Sequence, residues 1–186
     1  MRELPATVSL PIRSANGPAP GDEVPSHYRW CFGCGVDHET GLHLRIVAGE
    51  DLCIEARFVP TVHHQGAPGL AHGGLLACAF DEALGALNWL LDVPAVTAHL
   101  ECDFLRPVPI DAELRITARI DGVDGRKVYM SAEGVLADEI AVRAKALFIQ
   151  VTLDHFSTHG DAEKVAAAIA DRAAGGPSWG NTEVNP

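Results

Sequence analysis

The apolar positions of the chain change period along its length. They alternate with polar ones over 42–47 and 53–58, and Ala48-Gly49-Glu50-Asp51 separates the two segments. A period of two on either side of a glycine-bearing link predicts a β-hairpin. A turn-rich connector over 60–70 leads into a nearly continuous apolar window, 74–91, opened by Gly73-Gly74 and closed before Pro94, which predicts the one long helix of the middle of the chain. Alternation with β-branched residues then returns over 96–106, 112–121, 127–136 and 140–153, separated by Pro107-Val108-Pro109, Gly122-Val123-Asp124-Gly125 and Ala137-Asp138-Glu139. These four strands are expected as an antiparallel meander. The order β, β, long helix, β, β, β, β lacks the alternating crossover helices of a parallel sheet, so the class is α+β.

The ends read differently. Residues 1–26 carry Pro5, Pro11, Pro18, Pro20 and Pro25 and are expected as an extended arm, because proline supports neither a helix interior nor a central strand. The domain proper is expected over 27–156. A tail over 157–186 holds a short helix at 161–174, stopped by Gly175-Gly176-Pro177 before a polar end.

The long helix is anomalous. Leu75, Leu76, Ala79, Phe80, Ala83, Leu84, Leu87, Trp89 and Leu90 leave hardly any face polar, as expected of a helix around which a sheet wraps. Asp81 and Glu82 interrupt this window, and an unpartnered buried carboxylate costs several kcal/mol or has its pKa forced upward. Asp81 is read as the functional acid, and Glu82 as facing solvent or an ion-pair partner at a dimer edge. At the start of the helix, Gly73 and Gly74 admit a ligand close to first-turn N–H groups that have no intrahelical acceptor and sit at the positive end of the dipole. An oxygen gathering negative charge suits such a position.

Composition narrows the partners. With 14 basic and 25 acidic residues the net charge is −11, which opposes phosphate backbones and anionic bilayers, so neither nucleic acid nor membrane is expected. No secretory hydrophobic region opens the chain, and five cysteines at irregular spacing suit a reducing compartment better than a disulfide framework, so a cytoplasmic location is expected.

The string Leu70-Ala71-His72-Gly73-Gly74-Leu75-Leu76-Ala77-Cys78-Ala79-Phe80-Asp81-Glu82-Ala83-Leu84-Gly85 resembles the helix signature of PaaI-like hotdog-fold acyl-CoA thioesterases. Asp103-Phe104-Leu105-Arg106-Pro107-Val108 is similar to a later strand of that family, and Cys31-Phe32-Gly33-Cys34-Gly35 with Gly41-Leu42-His43-Leu44 to the N-terminal segment of one branch. The resemblance implies a hotdog fold, with a six-stranded antiparallel sheet curled around the helix, acting as a homodimer or homotetramer on an acyl-CoA, with no metal and no cofactor beyond the coenzyme A of the substrate. It also implies that His72 orients the loop or the carbonyl and that Thr97 holds the attacking water. Some relatives carry an Asn six residues before the histidine. Here Gly66 stands in that place, and Gln65 is the candidate to supply the amide.

Spacing adds a constraint of its own. Gly73 and Asp81 are eight residues apart, about 12 Å along a helix at ~1.5 Å per residue, so they cannot serve one carbonyl from the same chain. A shared site therefore requires the carboxylate of a second subunit. The expected chemistry is polarisation of the thioester carbonyl by the Gly73 N–H, with Gly74 beside it, and attack by Asp81 either as general base on water or as nucleophile through a mixed anhydride. Seven of the basic residues fall between Arg106 and Lys145, and Arg126 and Lys127 are the candidates for the CoA phosphates.

Other readings weigh less. His27, Cys31, Cys34 and His38 follow H-x3-C-x2-C-x3-H, able to supply four zinc ligands but at a spacing unlike common structural zinc modules, so a packed cysteine pair is preferred. His63 and His64 read as loop surface. A non-catalytic acyl-CoA-binding module and a hotdog hydratase or dehydratase are the alternatives to the hydrolase.

Overall fold

The computed structural model describes residues 4–173. Six strands form one antiparallel sheet: β1 (Arg45–Ala48), β2 (Cys53–Phe58), β5 (Ala95–Phe104), β6 (Leu114–Asp124), β7 (Lys127–Leu136) and β8 (Glu139–Gln150). A separate small ribbon pairs β3 (Gln65–Ala67) with β4 (Leu70–Ala71). The helices are α1 (Gly73–Ala86), α2 (Asn88–Leu91), α3 (Leu153–His159) and α4 (Ala162–Ala173). The expected stop at Gly175-Gly176-Pro177 and the polar end lie outside the described residues.

The strands lie in the order β1-β2-β6-β7-β8-β5, which corrects the expected meander. Only β6, β7 and β8 follow one another as hairpins; β5 pairs with β8, with Thr97 opposite Phe148 and Phe104 opposite Val142. Pro107 and Pro109 account for the difference. They fix φ and donate no hydrogen bond, so the link cannot close a tight hairpin. Leu105 and Arg106 both donate to the Ala141 carbonyl, and the chain crosses the end of the sheet to a bridge between Leu70 and Pro109 before entering β6.

Alternate residues of each strand face α1: Leu114, Ile116, Ala118 and Ile120 on β6, and Val142, Ala144, Ala146 and Phe148 on β8, all buried. On the helix Leu76, Ala79, Phe80, Ala83 and Leu84 are buried against them. Gly134 on β7 is the recess for Phe80, since a Cβ there would lie 2.7 Å from the Phe80 ring. Gly73–Leu91 has a mean hydropathy of 1.3, enough by length and composition alone to cross a membrane, and 61% of it is buried within the fold, as befits a core helix. The expected single helix over 74–91 is broken at Leu87, where Leu87 and Leu90 make i→i−3 bonds and α2 begins.

The expected arm, 1–26, has no helix or strand among its described residues. Ser14 donates to the Leu90 carbonyl, the Arg13 guanidinium to the carbonyls of Gly49, Asp51 and Pro18, and Val24 enters the core. The arm thereby runs along α2 to the outer edge of β1 and delivers the segment 27–34 to the side of α1 that carries Asp81 and Glu82.

Candidate functional site

His72 is the N-cap of α1. Its Nδ1 accepts from the Gly74 N–H at 2.9 Å, and its carbonyl accepts from Leu75 and Leu76. The ring therefore occupies the Gly74 donor, which the sequence had offered to the substrate. The Gly73 N–H has no hydrogen-bond partner among the described residues, and a Cβ built on Gly73 would meet only the Phe104 ring, at 3.8 Å. At the positive end of α1, Gly73 thus has room at its Cα beside an aromatic edge.

The loop before the helix is braced internally. Gln65 accepts from the Gly69 N–H at 2.7 Å and donates to the Val62 carbonyl, so its amide is engaged in holding the loop rather than turned to the Gly73 amide. Gly66 lies directly against His72; a Cβ there would come within 2.7 Å of the His72 Cα. The position where relatives carry Asn is thus closed to a side chain in this chain. His64 is not surface, as the sequence suggested. It is 4% exposed, its Nδ1 accepts from the Thr61 N–H at 2.9 Å, and its carbonyl accepts from His72. Burial lowers its pKa below the usual imidazole value.

Asp81 lies two turns further along α1, half-buried. Thr97 Oγ1 donates to its Oδ1 at 2.8 Å. The register of β5 against β8 shifts between Thr97 and His99, and this bulge turns Thr97 toward the helix while Leu100, Cys102 and Phe104 keep to the same face beyond it. Burial raises the Asp81 pKa above the usual carboxylate value, and the Thr97 hydrogen bond works in the opposite direction. A cavity of about 1160 Å³ opens beside the carboxylate, lined by apolar side chains such as Trp89, Phe148, Phe156 and Ile169 and by polar ones that include Asn88, Lys164 and the cluster of His27, Cys31, Cys34 and Glu82. The face of α1 that carries Asp81 thus fronts a space large enough for a small organic ligand.

Glu82 departs from its expected place. Its side chain is 13% exposed and faces the N-terminal segment, where Cys31 Sγ donates to Oε2 at 3.3 Å and His27 Nδ1 lies 3.7 Å from Oε1. Cys34 Sγ is 3.4 Å from His27 Nδ1. Burial pushes the Glu82 pKa up to about 7. Of the two thiols Cys31 is the more acidic, held low by its hydrogen bond with Cys34, whose own pKa is raised by the same bond. His38, the fourth member of the spacing pattern, is elsewhere: its ring packs edge-on against Phe32 at 5.0 Å. Sequence reasoning missed Glu82 as the partner of this segment. Its signal was Gly33 between the cysteines, where a Cβ would lie 2.2 Å from Glu82 Oε2.

Arg126 and Lys127 are exposed at the β6–β7 turn, outside the lining of the cavity beside Asp81, and neither is ion-paired among the described residues. Of the other basic residues in that stretch, Arg106 pairs with Glu139, Arg115 with Asp138, Arg119 with Asp121 and Arg143 with Glu133. Within one chain the structure brings Asp81 and Thr97 together at one end of β5, and leaves Gly73 beside Phe104 at the other.

Comparison with known proteins agrees with this architecture. Residues 68–142 match the family described as the Thioesterase superfamily. The chain is 36% identical over 90 residues to the acyl-coenzyme A thioesterase THEM4 of Bos taurus, covering 48% of this chain and 37% of that protein. It therefore spans less than half the length of the curated relatives it matches. Among solved structures, the thioesterase superfamily protein RHA08564 superposes with a TM-score of 0.61 at 28% identity, over 65% of this chain and 63% of that one. The E. coli PaaI protein from the phenylacetic acid degradation operon superposes with a TM-score of 0.56 at 19% identity, over 59% and 80%, a likeness of fold.

Proposed function

We propose that this chain, whose residues 68–142 match the Thioesterase superfamily model and whose fold is that of PaaI-like hotdog proteins, hydrolyses an acyl-CoA to a free carboxylic acid and coenzyme A. The observation that carries this reading is the Thr97-tethered Asp81 carboxylate at the mouth of a partly apolar cavity, on the same helix as the Gly73 amide, which has no hydrogen-bond partner among the described residues.

The thioester carbonyl accepts from the Gly73 N–H, whose position at the helix N-terminus stabilises the oxyanion as it forms. One such donor is worth about 3–4 kcal/mol in the transition state. Asp81 takes a proton from water as the water attacks the carbonyl carbon, or attacks that carbon itself to give a mixed anhydride that water then cleaves. In both routes the C–S bond breaks and coenzyme A leaves as its thiol. Thr97 holds the carboxylate in one rotamer and presents its own oxygen to the water. The acyl chain enters the cavity among Trp89, Phe148 and Ile169.

The two halves of the site come from two copies of the chain. β5 is an edge strand of ten residues paired only with β8, and Thr97, Ala98, His99, Asp103 and Phe104 on it are exposed. A long uncovered edge invites a second strand. Antiparallel self-pairing about the middle of β5 lays the Thr97 end of one copy beside the Phe104 end of the other, which carries one copy's Asp81 toward the other's Gly73. A homodimer is therefore the working unit, and pairing of dimers into a tetramer is compatible with it. Arg126 and Lys127 are the proposed contacts for the CoA phosphates, since they are free of carboxylate partners among the described residues. The five free cysteines suit a reducing compartment such as the cytoplasm.

The experiment is a panel of short, medium, long and aryl acyl-CoAs followed by release of free thiol, for the wild type and Asp81→Asn. Turnover on at least one substrate that falls by about a hundredfold or more in the variant supports the reading. Binding without turnover by the wild type would make the protein an acyl-CoA-binding module instead.

A further inference from the structure

We propose that His27, Cys31, Cys34 and Glu82 form a structural zinc site that clamps the N-terminal segment to the central helix. The four side chains each offer one ligand atom, and all four atoms lie within 4.8 Å of one another. The separations between neighbours are 3.3 Å for Cys31 Sγ to Glu82 Oε2, 3.4 Å for Cys34 Sγ to His27 Nδ1 and 3.7 Å for His27 Nδ1 to Glu82 Oε1. Ligands bound tetrahedrally at ~2.0–2.3 Å from Zn²⁺ stand roughly 3.3–3.8 Å apart, so these three separations already match edges of such a tetrahedron, and the others, all within 4.8 Å, need only side-chain adjustment to close.

The chemistry of the set selects a cation rather than a disulfide. A disulfide would need the two sulfurs alone, whereas here a carboxylate from α1 and an imidazole from the segment before the cysteines converge on the same point. Without a cation Cys31 meets the carboxylate only by donating its S–H proton, whereas a bound dication would let both sulfurs and the carboxylate face one point as anions. Two thiolates, an imidazole and a carboxylate suit Zn²⁺ in particular, and four protein ligands leave no open position, which marks a structural ion.

The surroundings are built for the same purpose. The Gly33 N–H donates to Cys31 Sγ at 3.3 Å, and Ser26 Oγ lies 3.3 Å from Cys34 Sγ, so each sulfur has a hydrogen-bond partner of the kind that orients a metal-bound thiolate. The Gly35 N–H returns to the Cys31 carbonyl at 2.8 Å and closes the turn that sets both sulfurs on one side. Gly33 gives Glu82 its approach, because a Cβ would overlap the carboxylate. On binding, Cys31 and Cys34 each release a proton, Glu82 enters as carboxylate and His27 as the neutral ring through Nδ1. The spacing pattern of the sequence pointed to His38 as the fourth ligand; the fold supplies Glu82, 51 residues from Cys31.

The test uses the full chain, purified under reducing conditions without a metal-affinity tag. We expect one zinc per chain by plasma mass spectrometry, and a lower Tm after chelation that zinc restores. Titrating the chelated protein with Co²⁺ should give visible bands of a tetrahedral ion together with a thiolate-to-cobalt charge-transfer band. Cys34→Ser and Glu82→Gln should each weaken zinc retention against a competing chelator by more than about tenfold, and His38→Ala should leave it unchanged. A wild-type protein that is substoichiometric in zinc and gives no charge-transfer band overturns the proposal, whether its cysteines titrate as free thiols or are found as a disulfide. Retention by Glu82→Gln with loss in His38→Ala also overturns it. Because the wild-type Co²⁺ titration is decisive, a variant that fails to fold does not rescue the idea.

Discussion

Thr97 Oγ1 stands 2.8 Å from Asp81 Oδ1, so the edge strand of the sheet holds the carboxylate of the central helix in one orientation. The bulge between Thr97 and His99 produces this meeting, because it returns Thr97 to the helix-facing side of β5 at the level of Asp81. A hydrogen bond to a charged group is worth about 1.5–3 kcal/mol. Thr97→Val should therefore lower kcat by roughly tenfold to a hundredfold with the Tm little changed, and Thr97→Ser should recover most of the loss. Steady-state kinetics on the best acyl-CoA of the panel checks this. A valine variant as fast as wild type would remove Thr97 from the reaction.

At the other end of α1, Gly73 has room for a side chain, with nothing closer than the Phe104 ring at 3.8 Å. Alanine is the better helix former by up to ~1 kcal/mol, so Gly73→Ala should fold at least as stably as wild type. The added methyl group would stand where the thioester oxygen approaches the N–H, and kcat/KM should fall by about a hundredfold or more. Activity and stability are expected to move in opposite directions, which parallel turnover and melting measurements read directly.

Gly33→Ala tests the packing between the N-terminal segment and the helix. A Cβ 2.2 Å from Glu82 Oε2 forces the carboxylate or the turn to move. Overpacking of this kind costs about 1–3 kcal/mol. Chemical denaturation should show that loss, and Cys31 and Cys34 should react faster with a thiol reagent because the turn that shelters them is displaced.

His64 gives the fold a pH dependence of known sign. Burial lowers its pKa in the folded chain, while the unfolded chain has the ordinary value near ~6.5. The unfolded state therefore binds the proton more readily, and the stability from neutral His64 is fully present above ~6.5 and is lost as pH falls from there toward the depressed folded value. Asn at this position can still accept from the Thr61 N–H but does not titrate. Urea unfolding of His64→Asn should show a shallower loss of stability between pH 7.5 and pH 5.5, both pH values on the order of one unit from ~6.5, than wild type does.

What the sequence made legible was local. The all-round apolar α1, its His72-Gly73-Gly74 entry and the misplaced Asp81 lie within twenty residues, and the hairpins β1–β2 and β6–β7–β8 announce themselves by alternation and short links. The pairing of β5 with β8 was not legible, because alternation says which face is buried and nothing about which strand lies alongside. Glu82 was expected at solvent or in an ion pair at a dimer edge for the same reason: its partners come from residues 27–34, and only the folded chain brings them to it. Gly66 read as a departure from a motif, and the structure gives it a cause in the close approach of His72.

The strongest consequence of a divided site is that two dead variants can repair each other. Gly73→Ala and Asp81→Asn should each abolish most activity as homodimers. In a mixed dimer, one site joins the altered Gly73 position of the first chain to the altered Asp81 position of the second, and the other site joins an intact Gly73 to an intact Asp81. Random assortment makes half of the dimers mixed with one working site in each, so an equal mixture, refolded together, should regain about a quarter of wild-type activity. If each chain instead held a complete site, every site in the mixture would carry one of the two lesions and no activity would return. The same mixture prepared from separately folded chains should regain activity only as fast as subunits exchange, which would tie the recovery to the proposed interface along β5.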